Sequence, residues 1–212
     1  MALQATTPII TPISDEFSWP AQGEWTYDDY RRLPDDGRRY EIIEGVLYVT
    51  NAPSYAHQFT VARLFFRLTQ LVEEAQAGIV LTAPFEIELP GIARPVLPDI
   101  VFIGAERQPA ADAANFVGAP DLIVEVLSPS TFRLDQSIKL DAYEQAGVPE
   151  YWLADPKTRS VTIYALPENG SEYILHGQFG PDETLTSILL PDLQIQVAAL
   201  FTSDAESVMR DQ

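Results

Sequence analysis

The seven residues Asp121-Leu122-Ile123-Val124-Glu125-Val126-Leu127 limit the fold more than any other stretch of this chain. As a strand, the run is apolar on both faces except at Glu125. Such a strand belongs inside a sheet covered on both sides, because both rows of side chains need apolar neighbours. An ionised carboxylate in that setting is costly to bury alone. Glu125 therefore calls for a counter-charge or a cation inside the fold. The alternative is a strand with one face in water, where Glu125 needs no partner.

The flanking segments supply the surroundings. A short helix near 26–33, capped by Thr26, precedes a hairpin whose arms, 40–43 and 46–50, flank Glu44-Gly45. Residues 55–76 form the clearest helix, with Phe59, Ala62, Phe65, Phe66, Leu68, Leu71 and Val72 as its apolar stripe and Gly78 as its stop. Strands are expected over 79–89 and 96–103, separated by a turn at 91–95, and a loop or weak helix over 105–119. Residues 132–146 read as a helix closed by Gly147 and Pro149, and 151–154 with 160–166 as a strand pair. Short strands follow through 170–201, with a last helical turn near 197–201. The order predicts an α/β fold with a central mixed sheet flanked by helices. Residues 1–24, with Pro8, Pro12 and Pro20, read as an N-terminal arm, and 25–212 as a single domain.

Composition narrows the chemistry. The chain has no cysteine, which excludes disulfides, thiolate metal sites and thiol nucleophiles. It has two histidines, His57 and His176, too few for a histidine-rich site. Any bound metal should have carboxylate and carbonyl ligands, which favours magnesium, manganese or calcium. The net charge of −18, with 13 basic residues, argues against a broad phosphate-tracking surface. No apolar run of about 18 residues is present, and the first residues lack a basic, then apolar, leader. A cytoplasmic protein with no membrane partner is expected.

Two more residues join Glu125. Asp99 opens the apolar strand that follows Pro98; the plainer reading is a turn aspartate. Lys139 lies in the 132–146 helix; the plainer reading is a solvated lysine paired with Asp135 one turn earlier. Two carboxylates at the ends of neighbouring strands can hold a hard cation. An ammonium beside them can orient water and offset charge on a phosphate. No glycine-rich phosphate loop and no Ser-His-Asp pattern is visible.

At this point the chain resembles the PD-(D/E)XK, restriction-endonuclease-like nuclease superfamily. Within it, the chain is most similar to the Uma-two family, a widespread bacterial family inferred to be endonucleases. The likeness is carried by YEIIEGVLY at 40–48, SYAHQ at 54–58, PDIVFI at 98–103, PDLIVEVLSPST at 120–131, DQSIKL at 135–140 and AGVPEYWLADPKTRSVTIY at 146–164. It implies that Asp99 and Glu125 are the acidic motif. The superfamily's usual lysine position, two residues after the glutamate, is Leu127 here. In the nearer family the lysine comes from the following helix, which implies Lys139. Glu44 matches an acidic position of the first block, though a plain turn is an equal reading.

The activity so implied is Mg2+- or Mn2+-dependent endonuclease cleavage, of DNA rather than RNA. Asp99, Glu125 and the Val126 carbonyl hold the metal, and Lys139 assists the attacking water. Contacts to substrate are expected from His57, Ser128 and Arg133, with Arg38, Arg39, Arg63 and Arg67 as further phosphate candidates. The simpler roles are a helix-start histidine in water for His57 and a helix cap for Ser128. The resemblance also implies a homodimer, with Tyr151-Trp152 and the C-terminal strands as a surface. Two other functions remain open: a non-catalytic binding or assembly module on a nuclease fold, and a metal-dependent phosphohydrolase of a small substrate.

Overall fold

Thr26 starts the first helix of the computed structural model, which describes residues 18–201. Its hydroxyl accepts from the Asp29 N–H while the Asp29 carboxylate accepts from the Thr26 N–H at 3.0 Å, a reciprocal cap for α1 (Tyr27–Tyr30). The expected arm lies outside the described residues from 1 to 17, as does the chain beyond 201. Its remainder packs on the hairpin of β1 (Arg39–Ile43) and β2 (Val46–Thr50): Trp19 stacks on Trp25, and the Gly23 N–H donates to the Gly45 carbonyl at 2.8 Å. The turn residues Glu44 and Gly45 have φ of 50° and 71°, the left-handed pair that a two-residue hairpin needs. A Cβ on Gly45 would stand 2.4 Å from the Gly23 carbonyl oxygen, so glycine is required there on two counts.

Ser54 caps α2 (Tyr55–Glu74). The stripe it buries is His57, Thr60, Leu64, Leu68 and Val72, with Val61, Phe65 and Leu71 beside it. Phe66 and Ala62, expected inward, face outward. The true stripe begins at His57 and includes a threonine, so a reading by apolar type alone rotated the helix.

The strand expected over 79–89 is two: β3 (Gly78–Thr82) and β4 (Glu86–Leu89). The one expected over 96–103 is likewise divided between β5 (Ala93–Val96) and β6 (Ile100–Gly104). Each break falls at a proline, Pro84 or Pro98, which has no N–H for a ladder. At each break the chain passes from one sheet to another. The 105–119 segment contains a 3-10 turn, Ala105–Arg107, and β7 (Asn115–Val117), a strand too short to show a period. Then come β8 (Leu122–Val126), a π-helical turn at Leu134–Ile138, α3 (Lys139–Ala146), β9 (Glu150–Asp155), β10 (Ser160–Ala165) and β11 (Ile174–Phe179). The short pair β12 (Thr184–Leu185) and β13 (Ile195–Gln196) and a 3-10 turn at Val197–Leu200 complete the fold.

Two mixed sheets result. One has the order β2-β1-β5-β4-β7; the other, β11-β10-β9-β8-β6-β3, holds β8 antiparallel to β6 and parallel to β9. Leu64, Leu68 and Val72 of α2 cover one face of this second sheet, against Phe102, Leu122 and Val124. The other face, with Val101, Ile123 and Leu153, packs on Ile43, Ile87 and Val96 of the first sheet and on Tyr143 of α3. The mixed α/β architecture is as expected, and β8 is buried along its whole length.

Tyr151 and Trp152 do not supply a partner surface. Both are fully buried in β9, because β9 lies inside the sheet rather than at its edge. Among the described C-terminal residues, the large apolar side chains left exposed are Ile174 and Leu175, on edge strand β11, and Ile188.

Candidate active site

The pairing of β6 with β8 brings the two acidic positions together. Ile100 stands opposite Val124, so one further step of the register sets Asp99 opposite Glu125. The Asp99 carboxylate takes three donors. The Val126 N–H reaches Oδ2 at 2.9 Å, His57 Nε2 reaches the same oxygen at 3.0 Å, and Arg39 reaches Oδ1 at 2.9 Å. Burial would push this carboxyl upward. The bonds from His57, Val126 and Arg39 outweigh it and hold Asp99 below its ordinary range.

Glu125 faces the other way along the cleft, toward α3. Its Oε1 accepts from Lys139 Nζ and from the Tyr143 hydroxyl, each at 2.9 Å. The same ammonium lies 2.9 Å from Glu41 Oε1 and 3.7 Å from Asp135 Oδ1. Asp135, Lys139 and Tyr143 recur every four residues, so one side of the helix presents all three. The π-helical turn that carries Asp135 is pinned by the Tyr151 hydroxyl, which donates to the Asp135 carbonyl at 2.9 Å. Helical π-segments recur at functional sites because the extra residue re-aims side chains.

Asp99 and Glu125 are only 4% and 3% exposed, and Glu41, Asp135 and Lys139 are equally buried. Burial drives the Glu125 carboxyl well above its ordinary value, with Lys139 opposing and Asp135 adding to it. Burial also raises Asp135, to about 6, against the pull of Lys139. Burial works to neutralise Lys139, but Glu125, Glu41 and Asp135 overcome it and keep the amine charged. Four carboxylates thus face two fixed cations, Arg39 and Lys139.

The residues expected at the site divide clearly. Asp99, Glu125, Val126, Lys139 and His57 gather in or against one cleft of about 220 Å³. His57 is buried there rather than in water. Ser128 also lines it, and its hydroxyl accepts from the Thr131 N–H at 3.2 Å, the capping role. Arg133 is exposed and lines a neighbouring groove instead. Glu44 sits apart, exposed in the hairpin turn at the far end of β1 from Arg39. The β1 acid that reaches the cleft is Glu41, which also accepts the Leu97 N–H at 2.7 Å. Glu44 follows it by three residues, about 10 Å of extended chain.

Glu41 and Asp135 were missed, yet both left a signal. Glu41 lies between the apolar Tyr40 and Ile42, the same context that singled out Glu125. Asp135 reads in the sequence as a turn or cap residue, or as a surface partner for Lys139.

The donor set suits a hard cation. Among the described residues, no three His, Asp or Glu side chains form a ready metal cage. Magnesium does not need one, since it is commonly held by one or two carboxylates with water and substrate phosphate completing its shell. Asp99 and Glu125 would supply such a partial shell, and the Asp135 Oδ1 atom is buried without a hydrogen bond. The group fits the residues present.

Comparison with known proteins bears on the fold and the family. A crystal structure described as "a putative nuclease belonging to DUF820 from Anabaena variabilis" superposes with a TM-score of 0.69 at 22% identity, covering 83% of this chain and 97% of that one. The shared fold is restriction-endonuclease-like. No curated protein matches the chain. The model of the Uma2 family, described as "Putative restriction endonuclease", matches residues 27–198, which takes in both sheets, α2, α3 and every residue of the cleft. The chain belongs to the Uma2 family.

Proposed function

We propose that this protein is a magnesium- or manganese-dependent nuclease that hydrolyses phosphodiester bonds in the cleft between β1, β6, β8 and α3. The observation that carries the reading is the Asp99–Glu125 pair, set opposite each other with a buried ammonium held on Glu125. Asp99, Glu125 and the Val126 carbonyl would hold the metal. Bound there, it supplies Lewis-acid polarisation of the phosphate and a water of lowered pKa.

The chain's own residues do the rest. The Val126 N–H and His57 fix the Asp99 carboxylate from one side, and Arg39 from the other. Lys139 donates to the attacking water and offsets charge developing on the phosphate. Glu41 and Asp135 keep that amine protonated and orient it. The loop 128–131 forms part of the cleft wall. DNA is the favoured polymer, in the cytoplasm, and a homodimer the favoured assembly.

The test is cleavage of single- and double-stranded DNA and of RNA with magnesium or manganese, in parallel with Asp99→Ala and Glu125→Ala. Cutting that needs the metal and vanishes in both variants is the expected result. Absence of cutting on every substrate, or cutting that survives both substitutions, sinks the assignment.

A further inference from the structure

Beside the cleft lies a larger groove of about 1010 Å³, lined by β2, the 128–134 segment and the turn after β9. The two share Thr50, Ser54 and the loop Ser128-Pro129-Ser130, so an occupant of the groove lies against the same loop that lines the cleft. The groove differs from the rest of this acidic chain. Its charged lining residues are Arg133, Lys157 and Asp155, and Asp155 already accepts the Lys157 N–H at 2.8 Å. Phe132 also lines it, 43% exposed. Tyr48 adds a second, half-buried ring.

We propose that this groove seats a single strand of nucleic acid and feeds it to the cleft, with a base stacked on Phe132 and phosphates against Arg133 and Lys157. The inference rests on the phosphodiesterase reading and deepens it. Aromatic stacking beside a few cations is how single strands are held without sequence readout. A duplex needs a wider basic track: proteins that grip it commonly neutralise about 6–10 phosphates. The net charge of −18 and two groove cations do not provide that. Depth points the same way. A phosphate must approach carboxylates that are 4% and 3% exposed, which a single backbone can do and a stiff helix cannot. The groove volume stands at the upper end of ligand pockets, roughly 300–1,000 Å³, larger than one nucleotide calls for.

The test is fluorescence anisotropy on the full chain in EDTA, so that no hydrolysis competes. The probes are a labelled oligothymidine of about twelve nucleotides and a duplex of the same length. The single strand should bind about tenfold tighter than the duplex, and Phe132→Ala should weaken it about tenfold. The slope of log affinity against log salt should be about −1.4, falling by about 0.7 in Arg133→Gln. Duplex binding as tight as single-strand binding, or a Phe132→Ala chain that binds unchanged, overturns the inference. So does failure of the single strand to bind while sedimentation shows a self-association that Phe132→Ala abolishes, which would give the groove to a second copy. A chain that binds the strand through Phe132 but cuts nothing supports the groove and counts only against the hydrolytic reading. A chain that cuts duplex but shows no preference for the strand does the opposite.

Discussion

Lys139 meets Glu125 from a helix: its Nζ lies 2.9 Å from Oε1, although the superfamily's usual lysine position on the strand is occupied by Leu127. Leu127 is itself buried in the apolar cluster beside α3, so the amine is delivered across that layer rather than along the strand. Lys139 is enclosed by Glu125, Glu41 and Asp135. Removing it strands three buried acids. Lys139→Met should therefore cost on the order of 3–5 kcal/mol in EDTA, measured by urea unfolding. Millimolar magnesium should recover part of that loss if the cluster accepts a cation. A variant as stable as the parent would mean that the acids are protonated without the amine.

Glu125→Gln keeps the shape of the side chain and removes a carboxyl that burial already drives toward its neutral form. Stability without metal should be unchanged or higher, while calorimetric binding of magnesium should fall at least about tenfold, or 1.4 kcal/mol. Undiminished magnesium binding would remove Glu125 from the ligand set even if cutting were lost.

Asp135 gives the cleft a pH dependence. Its folded value of about 6 lies above the ordinary 3.8, because burial disfavours the carboxylate. Between these values the folded chain keeps a proton that the unfolded chain has lost. The Asp135 contribution to stability in EDTA should therefore fall by on the order of 3 kcal/mol as pH rises from about 4 to about 6, and change no further above. Glu125, also raised, extends the same trend upward. Asp135→Asn should flatten the lower part of this fall in urea titrations at pH 4, 6 and 8. A parent whose stability climbs across that range would show Asp135 ionised throughout.

Much of this was legible in the sequence, because local chemistry carried it. The apolar run around Glu125 gave the central strand, and Glu44-Gly45 gave the hairpin with its left-handed turn. What stayed hidden depended on packing between distant segments. Arg39 lies 60 residues from Asp99 and meets it only because the chain crosses between the sheets at Leu97-Pro98. His57 reads either as a substrate contact or as a helix-start residue in water, and only packing shows that it leads the buried stripe of α2. Attention to the turn favoured Glu44 over Glu41, although alternation along β1 places Arg39 and Glu41 on one side together.

Glu44 offers the cleanest separation of fold from chemistry. Its φ of 50° is one that a side chain adopts at some cost, and its own side chain is exposed. Its N–H donates to the Ile92 carbonyl at 2.8 Å, a bond that any residue except proline can keep. Glu44→Gly should relieve the left-handed conformation in the folded state, at the expense of a looser unfolded chain. Glu44→Asn, a residue favoured at this turn position, avoids that loss and should stabilise by about 0.5–1 kcal/mol. Metal binding and cutting should match the parent in both. Glu41→Gln should behave in the opposite sense, loosening the hold on Lys139 and lowering activity while the turn stays intact. If Glu44→Asn abolished cutting and Glu41→Gln did not, the acid of the first block would have been assigned to the wrong end of β1.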